Sequence, residues 1–232
     1  MTDTEALKRR AAARALEEVT DGMILGLGTG STVAHFLQLL GEALEQGSIT
    51  RVIGVPSSIR TGREAGELGI PLSTLAEHPI LDLTVDGADE VTPDLDLIKG
   101  MGGALLREKI VAQASRRFVI IGDEGKAVTR MGTVSPLPVE VVDWGWSGHV
   151  AYLEGLGAEV AVRKSDDGSP LKSDNGNLIL HCRFPDGIDA PGLLDQELHA
   201  RAGVVETGLF LGLADEAILA GAADVRVLRR DP

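Results

Sequence analysis

Cysteine is nearly missing from this chain. Cys182 is the only one among 232 residues, so no intrachain disulfide can form and a cysteine-based zinc site is not expected. Its neighbours Leu180, His181, Arg183 and Phe184 read as strand, which makes it a structural thiol. Aromatic residues reach only 3%, arguing against base-stacking platforms and aromatic-lined sugar grooves. Positive charge is short as well: 22 basic residues face 35 acidic ones, for a formal net charge of −13. Duplex nucleic acid is therefore not an expected partner, because its affinity comes mostly from phosphate neutralisation. An anionic small molecule would need a local basic pocket inside an acidic envelope. No apolar run approaches membrane-spanning length, and MTDTEALKRR has no signal-peptide core. A cytoplasmic protein with no membrane partner is expected.

What is present is an ordinary globular composition, 44% hydrophobic and 25% charged, long enough for one large or two modest domains. The chain is organised around Ile98–Ile110, IKGMGGALLREKI. Gly100, Gly102 and Gly103 follow Lys99, and an amphipathic run then carries Glu108 between Arg107 and Lys109. Such a turn exposes backbone N–H groups, and the first helical turn behind it adds a positive dipole end. Lys99 supplies a fixed charge at the entrance, and Glu108 a base. On these residues alone a plain strand-to-helix turn remains open.

Helical spacing of Leu7, Ala11, Ala15 and Leu16 predicts a helix over 4–19. A strand over 23–27 leads into Gly28-Thr29-Gly30-Ser31-Thr32 and a helix over 33–44. That turn fits neither a dinucleotide fingerprint, since Val33 stands where a third glycine belongs, nor a Walker A loop. Three hydroxyls at a helix start suit a phosphate or sugar hydroxyl, or plain N-capping. Strands are expected over 51–55, 72–75 and 80–85, with a helix over 57–68. In the strand over 80–85, Leu81, Leu83 and Val85 alternate with Asp82 and Thr84, as for one buried face. Its end carries Asp86-Gly87-Ala88-Asp89-Glu90, three acids where an open α/β sheet binds its ligand. After a helix over 103–115, an apolar strand over 117–121 ends near Lys126. Several strand ends thus bring polar groups to one rim.

From about residue 130 the pattern becomes βαββαβ: strands over 139–142, 158–163, 177–183 and 203–206, helices over 147–156 and 192–202. This is the ferredoxin-like order. Turns are expected through Asp166–Pro170 and Asp174–Asn177, and strands over 217–219 and 225–228 return to the first sheet. The fold class is α/β, a Rossmann-like, mostly parallel sheet flanked by helices, with a smaller ferredoxin-like α+β domain inserted near the C-terminus. The expected division is 1–129 with 207–232, and 130–206. The five histidines (His35, His78, His149, His181, His199) are scattered without ligand spacing, so no metal site is expected.

Taken in order, these stretches resemble the type A ribose-5-phosphate isomerases over nearly the whole chain. The matching segments are Gly28–Thr32, Asp86–Glu90, Lys99–Ala104 with Arg107-Glu108-Lys109, Pro136–Glu140, Asp174–Asn177 and Gly203–Phe210. The resemblance implies interconversion of ribose 5-phosphate and ribulose 5-phosphate through an enediolate, without metal or cofactor, by a homodimer. It makes Glu108 the base, with Asp86, Asp89 and Lys99 as further catalytic groups. It implies substrate contacts from Thr29, Gly30, Ser31, Thr32, Asp86, Gly87, Ala88, Asp89, Lys99, Gly100, Met101, Gly102 and Lys126, and more weakly Lys8. Met101 stands where the family usually has glycine, which leaves only its backbone as a contact. Partial burial would raise the Glu108 pKa, with Arg107 or Lys109 opposing that if close. Alternatives of the same broad fold are an amino-sugar-phosphate isomerase/deaminase, a CoA transferase, or a non-catalytic sugar-phosphate sensor.

Overall fold

The computed structural model describes residues 3–165 and 168–230. In chain order the elements are α1 (Asp3–Leu16), β1 (Ile24–Leu27), α2 (Ser31–Glu45), β2 (Ile53–Pro56), α3 (Ile59–Glu67), β3 (Leu83–Gly87), β4 (Glu90–Val91), β5 (Leu97–Ile98) and α4 (Leu105–Gln113). Then come β6 (Phe118–Asp123), a short 3-10 turn (Glu124–Lys126), β7 (Leu137–Val141), α5 (Ser147–Gly155), β8 (Glu159–Val162), β9 (Leu178–Arg183), α6 (Pro191–His199), β10 (Val204–Thr207), β11 (Leu209–Phe210), β12 (Glu216–Ala220) and β13 (Val225–Arg229).

The main sheet has six strands in the order β13-β12-β6-β3-β1-β2. All neighbours are parallel except β12 and β13. The chain leaves β1 toward β2 on one side and returns to β3 on the other. That reversal opens a crevice beyond the carboxyl ends of β1 and β3. One face is sealed by α1 and α2: Ala11, Ala12 and Ala15 let α1 lie close over Leu25, Leu83, Val119 and Ile218. Complete burial of side chains such as Leu25 and Leu83 stabilises by about 1.5–3 kcal/mol each. The other face packs Phe118, Ile120, Ala217 and Leu219 against Leu105 and Ala112 of α4.

Some expectations are corrected. Alternation in the third main-sheet strand predicted a single buried face, yet Thr84 and Asp86 are as buried as Leu83 and Val85. Thr84 is tolerated because its hydroxyl bonds Ser115. The strand expected over 72–75 is reduced to one isolated bridge, Gly54 to Leu72. A three-stranded sheet, β11-β5-β4, was not foreseen, since two-residue strands carry no readable period.

A second sheet runs β10-β7-β9-β8, antiparallel throughout, with its own apolar core under α5 and α6. Its element order is the βαββαβ expected from the sequence. The turn expected through Asp166–Pro170 lies partly outside the described residues, at Asp166 and Asp167.

Candidate active site

The crevice between β1 and β3 is built by close approach. A Cβ on Gly28 would sit 2.2 Å from Asp86 Oδ1, so only glycine allows this contact. The next residue donates its backbone N–H to Asp86 Oδ1 at 3.0 Å. The Thr29 hydroxyl turns away from the crevice, toward the side chains of Ser57, Ser58 and Thr61 at 2.9–3.0 Å. Of the three hydroxyls in this turn, those of Ser31 and Thr32 therefore remain open. Gly30 caps α2 without any side-chain bond, which leaves the first-turn N–H groups and the positive dipole end available to an anion.

Behind this turn lies a buried charge cluster. Lys99 Nζ is 2.9 Å from Asp86 Oδ2 and 3.5 Å from Glu108 Oε2, and it donates to the Gly87 carbonyl at 2.5 Å. All three side chains are 3% exposed or less. Asp86 Oδ1 accepts two backbone N–H groups, from Thr29 and Gly87, while Asp86 Oδ2 and Glu108 Oε2 face Lys99 with no other hydrogen-bond partner among the described residues. Burial raises the Asp86 pKa against the pull of Lys99 and those N–H groups. Burial pulls Lys99 down, but the Asp86 and Glu108 charges overcome it and leave the ammonium above its ordinary value. For Glu108, burial dominates, Lys99 opposes it, and the Asp86 and Asp89 charges add to it, placing the carboxyl at about 8. One ammonium cannot neutralise three nearby carboxylates. Burial and these like charges together hold the Glu108 carboxyl well above the usual range.

A cavity of about 400 Å³ opens over this cluster. The residues expected to contact substrate from Thr29 to Thr32, Gly87 to Asp89, Lys99, Gly100, Gly102 and Lys126 all line it, as do Lys8 and Glu108. Two expected contacts do not. Asp86 is fully buried beneath Lys99, and Met101 is turned so that its backbone N–H donates to Asp89 Oδ2 at 3.0 Å. Lys8 is paired with Glu5 at 2.8 Å, while Lys126 has no ion-pair or hydrogen-bond partner among the described residues. Thr4, Arg60 and Asp123 also line the cavity and were missed. Asp123 is the last residue of β6 and Arg60 lies in the first turn of α3, the helix that follows β2, so the strand-end rule could have flagged them. Thr4 comes from α1 and had no local signal.

Three further sequence readings change. Glu90, third acid of its turn, points away: it accepts the N–H groups of Gly132, Val134 and Ser135 at 2.6–2.7 Å and so ties down the loop into β7. Arg107 and Lys109 do not oppose the Glu108 shift. Arg107 reaches the turn after Ser173, bonding Asn175 Oδ1 and the Asp174 carbonyl, and Lys109 pairs with Glu206 at 2.6 Å. The opposing cation is Lys99. Folding also brings His199 to Asp195 and Glu206, with ligand-type atoms within 4.8 Å of one another. The Lys109 ammonium already occupies that Glu206 oxygen.

Relatives share this framework. A family model described as ribose 5-phosphate isomerase A (phosphoriboisomerase A) matches residues 53–224. A ribose-5-phosphate isomerase A of Chloroflexus aurantiacus is 50% identical over 220 residues, covering 95% of this chain and 92% of its own. A solved D-ribose-5-phosphate isomerase in complex with phospho-erythronic acid superposes with a TM-score of 0.95 at 39% identity, covering 99% of this chain and 100% of its own. The ribose 5-phosphate isomerase of Plasmodium falciparum gives the same TM-score at 35% identity, over 98% of this chain and 100% of its own. With a match over most of its length and half of its residues shared with such a relative, the chain belongs to the ribose 5-phosphate isomerase A family.

Proposed function

We propose that this protein interconverts ribose 5-phosphate and ribulose 5-phosphate, with Glu108 moving the proton between C2 and C1 of the open-chain sugar. The observation that carries this is a buried carboxyl 3.5 Å from Lys99, pushed up to about 8 by burial, facing a cavity that also holds Lys126 and amide donors. A base poised near neutrality can both accept the C2 proton and return it to C1. As the carbonyl moves, negative charge develops on the sugar oxygens. Lys99 and the Gly102 N–H, which has no partner among the described residues, stand where they can hold it. Asp89 lines the cavity and is the group to assist ring opening, whereas Asp86 serves by fixing Lys99. The phosphate binds at the N-terminus of α2 in this reading, supported by its open first-turn N–H groups and by Lys126 and Lys8 as flanking charge. The reading includes residues 130–206 as a separate smaller unit, assembly as a homodimer, and a cytoplasmic setting. An enzyme of this family is favoured over a sensor or a CoA transferase by the poised base and by the relatives' names.

The deciding experiment follows ketose formation from ribose 5-phosphate with chelator present, as a function of pH. Because Glu108 acts in its ionised form, kcat/KM is expected to rise about tenfold per pH unit below about 8 and level off above it. Asp89→Asn removes a negative neighbour that raises the Glu108 pKa, so the residual activity should show its limb at lower pH. A flat profile between pH 6 and 9 would rule Glu108 out as the base. Lys126→Ala is expected to raise KM more than it lowers kcat, as for a contact made equally in ground and transition states. Steady-state kinetics showing the reverse would move Lys126 into the chemistry.

A further inference from the structure

Arg163 follows β8 of the small antiparallel sheet, yet its side chain leaves that sheet for the glycine turn of the cavity. Its Nη2 donates to the Gly102 carbonyl at 3.2 Å, and a Cβ on Gly103 would fall 1.9 Å from its Nη1. Gly103, at a φ of 89°, thus packs closely against the guanidinium. Arg163 is half-buried and has no carboxylate partner among the described residues. A guanidinium held this way loses hydration without gaining an ion pair. Burial alone pulls its pKa down, and nothing restores it. His181, on the neighbouring β9, is within electrostatic reach and is held below its ordinary value by burial and by the Arg163 charge, with Asp89 opposing.

The rest of the turn shows what this placement secures. The Gly103 N–H closes the turn onto the Gly100 carbonyl at 2.9 Å, and the Met101 N–H is tied to Asp89. Between them, the Gly102 N–H has no partner among the described residues, and Gly102 lines the cavity. Asp89 holds the backbone on one side of that donor, and Arg163 holds it on the other.

We propose that Arg163 is a positioning residue for the isomerisation: by gripping the Gly102 carbonyl and the face of Gly103, it fixes the turn that aims the Gly102 N–H at the developing oxyanion. The proposal rests on the functional reading above. The small sheet thereby takes part in the reaction without touching substrate.

The test compares wild type with Arg163→Met, which keeps an apolar stem, and with Arg163→Gln should the methionine variant not fold. Expected is a fall in kcat of about 10- to 100-fold with KM for ribose 5-phosphate changed less than about threefold, since a misaimed donor is felt mainly in the transition state. The inhibition constant of inorganic phosphate, which reads the α2 N-terminus, is expected to stay unchanged. A folded variant with wild-type kcat overturns the proposal. So does one in which kcat and phosphate inhibition weaken together, which marks general damage to the cavity. Wild-type protein unable to convert ribose 5-phosphate would instead sink the functional reading, and that control is run first.

Discussion

Glu108→Gln is expected to lower kcat by about a hundredfold to ten-thousandfold while leaving KM and phosphate inhibition close to wild type. The amide keeps size and shape but accepts no proton, so only the transition state suffers. Stability should move the other way. The Glu108 carboxyl titrates at about 8 in the folded protein against an ordinary value of 4.5, so the native state keeps a proton that the unfolded chain releases. The stability this group contributes is therefore fully present below about pH 4.5 and is lost as pH rises through about 8. Glutamine removes that loss. At pH 9 the variant should gain on the order of 2–4 kcal/mol relative to wild type, compared with the same difference at pH 5. Urea unfolding at the two pH values reads this directly. Near-normal turnover of the purified variant would end the assignment.

The second large effect is expected from Lys99→Met. Removing one partner of a buried ion pair typically costs about 3–5 kcal/mol, because the other is left charged and unpaired. Here Asp86, fully buried, loses its cation and keeps only two N–H donors. Its pKa, already raised by burial, rises further, so the variant loses still more stability relative to wild type as pH increases. Activity should fall at least about a hundredfold through loss of an oxyanion donor. Lys99 also pulls the Glu108 pKa down, so any residual activity should show its pH limb shifted to more alkaline values. That shift is opposite to the one expected for Asp89→Asn, and the pair of profiles separates the two roles. A Lys99→Met protein as stable as wild type at pH 8 would mean that Asp86 does not depend on this ammonium.

Much of the site was legible because its parts follow a local rule. Short apolar strands ending in glycine, hydroxyl or acidic residues place polar groups beyond the carboxyl edge of a parallel sheet, whatever the remaining packing. Thus Thr29–Thr32, Gly87–Asp89 and Lys126 fall on one rim. Direction within the rim was not legible. Sequence cannot tell that the Thr29 hydroxyl faces Ser57 while those of Ser31 and Thr32 stay open, because the deciding partners lie 28 or more residues away. Glu90 is similar: three backbone donors from 132–135 draw it out of the site, and backbone donors leave no trace in residue identity.

By itself, then, the sequence determined the alternation of strands and helices, the switch to βαββαβ after residue 130, and which turns meet at one cavity. These depend on periodicity and on the intrinsic conformational freedom of glycine, both local properties. Tertiary structure alone decided that Lys99 rather than Arg107 or Lys109 governs Glu108, that Asp86 sits beneath the cavity rather than in it, and that Arg163 reaches the glycine turn. The physical reason is common to all three. Charge–charge energies and desolvation depend on through-space distance and burial, and a chain fixes those only once distant segments have packed.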